Sequence, residues 1–310
     1  MKPNFLITII GPTAIGKTSL SIALAKHFGC DIISCDSRQF FKEMTIGTAV
    51  PSKEELAEAP HHFIQNKSIY ENYSVGDFEK EVLVKLDELF LKNTIQIMVG
   101  GSGLYVDAVL KGFDEFPDID ESVRTEINSK FEDLGIEFLQ QKLQELDLEY
   151  YKKLEIDNPQ TLQNPQRMKR FVEVCLGSGL PYSSFIGKRK NERNFTPIVI
   201  GLEADREIMY NRINQRVDIM LAQGLLNEAE NLFPHKERNA LQTVGYRELF
   251  DFFDDKTAFN FAIEQIKQNT RRFAKRQMTW FKRTENAIWF DFKTDRNEII
   301  QEINSKIQNS

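Results

Sequence analysis

The 310-residue sequence predicts an α/β fold: a parallel sheet core flanked by helices, with a mainly helical insertion domain. Three observations predict it. Apolar runs of strand length, Phe5 to Ile10, Ile95 to Val99 and Pro197 to Leu202, alternate with stretches of helical periodicity, the pattern of parallel strands buried on both faces. Between the first run and the first helical stretch, GPTAIGKT (Gly11 to Thr18) satisfies G-x-x-x-x-G-K-[ST] in full, in the strand-loop-helix context that makes it a phosphate loop. The core is therefore expected to be P-loop NTPase-like. From Phe113 to Phe195 the strand pattern lapses, so residues 1–112 and 196–310 are read as one core and 113–195 as the insertion.

Each element has a local reason. After the loop, Leu20, Ala23, Leu24 and Phe28 recur on one helical face. Asp31 to Ser34 is a short strand that delivers the turn Cys35-Asp36-Ser37. Ser74-Val75-Gly76-Asp77 is a capping-box-like start to a helix whose apolar face is Phe78, Val82, Leu86 and Leu89. The strand Ile95 to Val99 ends in Gly100-Gly101-Ser102-Gly103. Beyond Gly112, an acidic, Leu/Gln-rich stretch to about Tyr151 reads as helices, which Asn158-Pro159 and Asn164-Pro165 break. Another helix follows from Arg167 to Leu176, and residues 177–194 are loop-rich, with the cluster Lys188-Arg189-Lys190. After Pro197 to Leu202 a helix carries Met209, Ile213, Val217 and Met220.

Composition is that of an ordinary soluble protein, 41% hydrophobic and 28% charged. The apolar run near the N-terminus is far shorter than a membrane span and leads into a motif, so a cytoplasmic protein with no removed leader and no membrane association is expected. Cys30, Cys35 and Cys175 form no C-x-x-C pair and are expected to be reduced core residues. The net charge of −6 is uneven: residues 114–157 hold 14 acidic and 5 basic residues, a balance of −9, which leaves the remainder at +3. From Gln265 to Thr284 there are seven Lys or Arg and no acid. If that segment is helical, Lys267, Arg271 and Lys275 repeat at four, Arg272, Arg276 and Arg283 form a neighbouring stripe, and Ile266, Phe273 and Trp280 face the core. A broad cationic face of this kind suits phosphate-backbone binding.

Backbone N–H groups of the loop and the fixed charge of Lys17 suit anionic oxygens, and the Thr18 hydroxyl suits a magnesium ion (Mg2+). A nucleotide hydrolase also needs an acid on a neighbouring strand. Here the strand IQIMVGG ends in glycines, and Glu203, at the end of the later strand, is a weaker match. Asp36 lies at the carboxyl end of a strand, where a parallel sheet gathers its ligand-binding residues. On the residues alone it is either an acid/base group or a solvated loop aspartate. His61 and His62 have no ligand-type partners at metal spacing and read as packing and hydrogen-bonding residues.

Taken together, the segments resemble one family, the tRNA dimethylallyltransferases, also called tRNA isopentenyltransferases. The matching segments are GPTAIGKT (Gly11 to Thr18), SCDSRQFFKEMTIGTAVP (Ser34 to Pro51), HHFI (His61 to Ile64), YSVGDF (Tyr73 to Phe78) and VGGSGLY (Val99 to Tyr105). Further on come NPQRMKRFVEV (Asn164 to Val174), GLPYSSF (Gly179 to Phe185), RINQRVDIM (Arg212 to Met220), TVGYREL (Thr243 to Leu249) and NTRRFAKRQMTWFKR (Asn269 to Arg283). Ile15 stands where small residues such as Ser are common, Ser102 where Thr is common, and Asn164 where Asp is frequent.

The resemblance implies transfer of a dimethylallyl group from dimethylallyl diphosphate to the exocyclic 6-amino nitrogen of the adenosine just 3′ of a tRNA anticodon, by a monomer. It implies a diphosphate cradle of Gly11, Pro12, Thr13, Ala14, Ile15, Gly16, Lys17 and Thr18, with Thr18 on magnesium. Asp36 would accept the amine proton, Thr13 would meet the oxygen bridging carbon and phosphorus, and Arg216 would clamp the diphosphate. Arg212 reads better as a structural or solvated cation. Asp36, Ser37, Arg38 and Gln39 match the segment that contacts the adenosine. Further tRNA contacts are implied for Ser102 and Arg124, for Gln166, Arg167, Met168, Lys169 and Arg170, and for Gln242, Thr243, Val244, Gly245, Tyr246 and Arg247. The last set is Lys275, Arg276, Gln277, Met278, Thr279, Trp280, Phe281 and Lys282, with Gln277 and Thr279 as polar base contacts. Competing readings are a P-loop nucleoside or nucleotide kinase, a transferase acting on free adenine nucleotides, and a tRNA-binding protein with a nucleotide switch.

Overall fold

The computed structural model describes residues 3–187 and 192–309; the cluster Lys188-Arg189-Lys190 lies outside them. Among the described residues, six strands form one sheet: β1 Phe5–Ile10, β2 Ile32–Ser34, β3 His61–His62, β4 Ile95–Val99, β5 Thr196–Glu203 and β6 Ile288–Asp291. Their order is β3-β2-β4-β1-β5-β6, and every pairing is parallel. The chain divides into two compact units, residues 1–111 with 193–310, and residues 112–192.

The first unit holds the sheet and the helices α1 Lys17–Phe28, α2 Lys53–Glu58, α3 Val75–Phe90 and α4 Gly103–Lys111. The second holds α5 Glu121–Leu146, α6 Leu148–Asp157 and α7 Pro165–Ser178. The first unit resumes with α8 Arg206–Ala222, α9 Leu225–Leu232, α10 Tyr246–Phe253, α11 Phe259–Phe281 and α12 Arg296–Gln308.

The central strand β1 is apolar nearly throughout because both of its faces are covered. Phe5, Ile7 and Ile9 pack with Leu20 and Leu24 of α1 and with Ile299 and Ile303 of α12. Leu6 and Ile10 pack on the other side with Phe78, Val82 and Leu86 of α3 and Val106 of α4. The capping box of α3 is present, with the Ser74 hydroxyl accepting from Asp77 N–H and the Asp77 carboxylate accepting from Ser74 N–H. A third core lies among α8 to α11, where Tyr246, Leu249 and Ile266 meet Met44 and Ile69. The arginine that opens the returning chain, Arg193, stays with this unit through an ion pair of 2.6 Å to Glu79 and donations to the carbonyls of Ala108 and Val109.

The second unit has its own core, in which Ile127, Leu139 and Leu143 of α5 meet Met168, Phe171 and Cys175 of α7. The acidic stretch is three helical pieces, since Gly135 breaks α5 with φ 73° and ψ −161° and α6 follows. Asn164 caps α7, its side chain accepting from Arg167 N–H at 3.2 Å with Pro165 in the first turn. All three cysteines are free and buried, and burial pushes the Cys30 thiol up to about 12.

One expected face is corrected. The buried seam of α11 is Ala262, Ile263, Ile266, Ala274, Gln277 and Phe281, whereas Phe273 and Trp280 are each 38% exposed. Towards its C-terminal end the inward face of α11 is carried by Ala274, Gln277 and Phe281, so Phe273 and Trp280, each one position before a buried residue, sit at the margin of that seam.

Candidate active site

The phosphate loop leaves β1 at the sheet's carboxyl edge. Gly11 takes φ 146°, and a Cβ there would stand 2.7 Å from the Leu202 carbonyl oxygen of β5, so only glycine lets the chain turn here. Gly16 opens α1 at φ 110°. Lys17 folds back over the loop, its Nζ donating to the carbonyls of Gly11 at 3.0 Å and Pro12 at 2.7 Å. Two arginines one turn apart on α8 reach the same loop. Arg212 Nε donates to the Ala14 carbonyl at 2.8 Å, and Arg216 Nη1 lies 3.4 Å from Thr13 Oγ1.

Asp36 follows β2 at the same edge. Its Oδ1 accepts from Arg38 N–H at 3.1 Å, an Asx turn that fixes the carboxylate. The neighbouring strand end is shaped around it: a Cβ on Gly100 would stand 2.5 Å from Cys35 Sγ and 2.9 Å from Asp36 N. Burial pushes the Lys17 ammonium down to about 8, the nearby charge of Asp36 partly restores it, and Arg216 lowers it further. Burial likewise lowers Arg216, opposed by Asp36 and Glu55. The edge thus concentrates three cations, Lys17, Arg212 and Arg216, around one anion-binding loop with the Asp36 carboxylate beside it.

These groups face one cleft of about 820 Å3 within the first unit. Thr13 to Thr18, Asp36 and Arg216 line its polar end. Ile46, Val50, Pro51, Leu56, Ile219 and Met220 give it an apolar wall. That wall is held from behind by Glu228 of α9, whose carboxylate accepts from the backbone N–H groups of Thr45 at 3.0 Å, Ile46 at 2.8 Å and Gly47 at 2.9 Å. Tyr246 Oη donates to the same carboxylate at 2.6 Å, and its ring packs so closely on Gly47 that a Cβ there would stand 2.6 Å away. His61 also lines the cleft: its Nδ1 is 2.8 Å from the Ala59 carbonyl, while its buried Nε2 has no hydrogen-bond partner among the described residues.

A family model described as IPP transferase matches residues 39–284. The chain belongs to the IPP transferase family. It is 73% identical over 305 residues to the tRNA dimethylallyltransferase of Flavobacterium psychrophilum, covering 98% of this chain and 99% of that one. It is 70% identical over 307 residues to that of Flavobacterium johnsoniae, with 99% of each covered. Among solved structures, the full-length tRNA isopentenylpyrophosphate transferase of Bacillus halodurans superposes with a TM-score of 0.71 at 34% identity, covering 99% of this chain and 96% of that one. A eukaryotic dimethylallyltransferase solved acting on tRNA gives 0.83 at 25% identity, covering 99% and 80%.

Within this IPP transferase chain, several residues expected to contact RNA are committed elsewhere. Tyr246 and Phe281 are fully buried in the first unit and Met168 in the core of the second, so their side chains are packing residues. Gln277, expected as a base contact, is 6% exposed, and both ends of its amide bond the protein backbone. Gln39 donates to the carbonyls of Thr48 and Ala49 and accepts from Ser34 Oγ. Arg38 donates to the carbonyls of Asn239 and Ala240, and Gln242 to that of Lys236. Ser37 and Ser102 meet through their hydroxyls at 3.0 Å. Glu203, the weaker candidate for a hydrolytic acid, is paired with Lys282 at 2.6 Å.

On α11, Lys267 pairs with Asp218 and Arg271 donates to Asn214, which removes both from the expected stripe. Arg272, Lys275, Arg276, Thr279 and Arg283 remain exposed beside Phe273 and Trp280, while Met278 is half-buried. Thr243, Val244 and Gly245 lead into α10, with Gly245 at φ 101° and Arg247 exposed. In the second unit, Arg124 and Arg170 flank Glu173 at 3.6 and 3.8 Å, Lys169 donates to Asn128, Arg167 donates to Thr161, and Gln166 is exposed. The apolar wall and Glu228 were not expected from sequence. Ile219, apolar but off the repeat of Met209, Ile213 and Val217 on α8, is a usable signal for the wall, but Glu228 has none, because the backbone groups it holds lie about 180 residues away.

Proposed function

We propose that the chain transfers a dimethylallyl group from dimethylallyl diphosphate to the exocyclic 6-amino nitrogen of the adenosine 3′ of the anticodon in tRNA, acting in the cytoplasm as a monomer. The observation that carries this reading is that Asp36 faces the same cleft as the phosphate loop, with an apolar wall beside them. The family and its relatives named as tRNA dimethylallyltransferases support it. The loop then binds a leaving group, for which no water-activating acid is needed; the strand end where a hydrolase carries one is Gly100-Gly101, packed against Cys35 and Asp36.

In the proposed reaction the bond between the allylic carbon and the bridging oxygen breaks as the amine nitrogen attacks that carbon. The exocyclic amine is a poor nucleophile because its lone pair is delocalised into the ring, so removal of its proton by Asp36 is productive as the new bond forms. Charge develops on the departing diphosphate, where Thr13, Lys17, Arg216 and the loop N–H groups act as preorganised donors. Thr18, Ser34 and Asp36 line the same cleft, where the Thr18 hydroxyl would suit magnesium held largely by diphosphate and water. Bound there, the ion would neutralise diphosphate charge. Incubating the protein with dimethylallyl diphosphate, magnesium and unmodified tRNA, then digesting the RNA and weighing its nucleosides, tests the reading; prenylated adenosine is expected, and its absence refutes it.

Lys17 makes donor binding pH-dependent. Its folded value of about 8 lies below the ordinary 10.5, so the ammonium the diphosphate needs is present below about pH 8 and lost above it. Donor affinity should therefore fall by up to about tenfold per pH unit above that point, with proton uptake on binding measurable by calorimetry in buffers of different ionisation enthalpy. The unliganded fold should gain stability over the same rise, because the unfolded chain then holds a proton that the folded chain does not.

The exposed face of α11 supplies the second half of recognition. Arg272, Lys275 and Arg276 can follow a phosphate backbone, and Phe273 and Trp280 offer rings for stacking. The unpaired bases of an anticodon loop are cheaper to extrude than paired ones, which suits entry into a cleft. Replacing both Lys275 and Arg276 by alanine should weaken tRNA binding and reduce the slope of log affinity against log salt by about 1.5, while leaving donor binding alone unchanged.

A further inference from the structure

We propose that Gln277 is a positioning residue that ties the phosphate loop to the end of β4 and so sets the leaving-group donors against the proton acceptor; this rests on the reading of the cleft given above. Gln277 lies on the buried seam of α11, one residue from the exposed Arg276. Both ends of its amide are used. Oε1 accepts from Thr13 N–H at 2.9 Å, and Nε2 donates to the Gly101 carbonyl at 2.8 Å.

The two backbone groups belong to opposite sides of the cleft chemistry. Thr13 is the loop residue whose hydroxyl lies 3.4 Å from Arg216 Nη1. Gly101 lies two residues past the end of β4, beside Asp36: a Cβ built there would stand 2.3 Å from Gln277 Nε2 and 3.9 Å from Asp36 Oδ2. Glycine at 101 is thus what admits the amide. A rigid planar group bonded at both ends fixes the separation of the two segments, and removing it leaves a donor and an acceptor without their partner. An RNA base cannot take over either bond while Gln277 holds both.

The test separates this tie from an RNA contact by measuring diphosphate binding with no RNA present. Gln277→Met keeps the length of the side chain and removes both hydrogen bonds; Gly101→Ala attacks the same tie from β4, away from the exposed face of α11. Both variants are expected to bind inorganic diphosphate about tenfold more weakly by calorimetry. In the transfer assay kcat should fall about 100-fold, with KM for tRNA within about twofold of the parent. Unchanged diphosphate affinity with a raised KM for tRNA would overturn the proposal, and so would no change in any of the three quantities. Should Gln277→Met lack a cooperative thermal transition, Gly101→Ala decides by the same criteria. Failure of the parent protein itself to bind diphosphate would instead sink the reading of the cleft.

Discussion

Asp36→Asn is expected to lower the single-turnover rate of transfer about 1000-fold, the middle of the range for losing a positioned general base. Asparagine keeps the size of the side chain and an oxygen for Arg38 N–H, so the turn after β2 should survive. The variant has a second signature. The Asp36 charge raises the Lys17 value, so its removal should move the pH at which donor affinity falls below about 8. A rate loss with the pH profile of donor binding unmoved would mean that the carboxylate and the ammonium do not sense each other. An undiminished rate would remove Asp36 from the chemistry.

Gly100→Ala is expected to be nearly as damaging although it adds a single methyl group. The new Cβ would meet Cys35 Sγ at 2.5 Å, the Cys35 carbonyl carbon at 2.7 Å and Asp36 N at 2.9 Å, and two of those atoms are backbone. Relief requires moving the segment that carries Asp36. Displacement on the order of 1 Å can cost about 100-fold in rate, and overpacking of this kind costs about 1–3 kcal/mol in stability. Transfer kinetics and a denaturant titration read the two losses separately. Cys35→Ala in the same background should restore part of both, since it removes the closest clash and leaves the backbone ones.

The parts of the fold that announce themselves in sequence are those whose signal is local. β1, the phosphate loop and α1 are contiguous, and the capping box that starts α3 lies within four residues. β3 is two residues long and β6 is a half-exposed edge strand, so neither generates a run that stands out from loop. The phase of α11 is hidden in sequence for a related reason. Phe273 and Trp280 look like core residues by type, and only the packing of Ala274, Gln277 and Phe281 reveals which side of the helix is inward.

The candidate site divides the same way. The loop and the position of Asp36 were legible because motif and strand-end position point to them, whereas Arg216 came only with the resemblance and Arg212, expected as a structural or solvated cation, donates to the Ala14 carbonyl of the loop. Gln277 was legible as a residue of interest but not as a link, since its partner Thr13 is 264 positions away. Side-chain type says what a group can bond to; which backbone it meets depends on how the sheet brings the two ends of the chain together.

The strand order has a consequence for how the protein is made. β1 is paired on one side by β4 and on the other by β5, and residues 112–192 are synthesised between those two partners. During elongation the second unit is complete while the central strand still has one bare edge. Domains generally fold as units while the chain emerges. The insertion is therefore positioned to fold before its host, and the phosphate loop gains its tie only when α11 arrives. A nascent chain halted before α11 carries every residue of the GPTAIGKT motif and lacks the side chain that aims it.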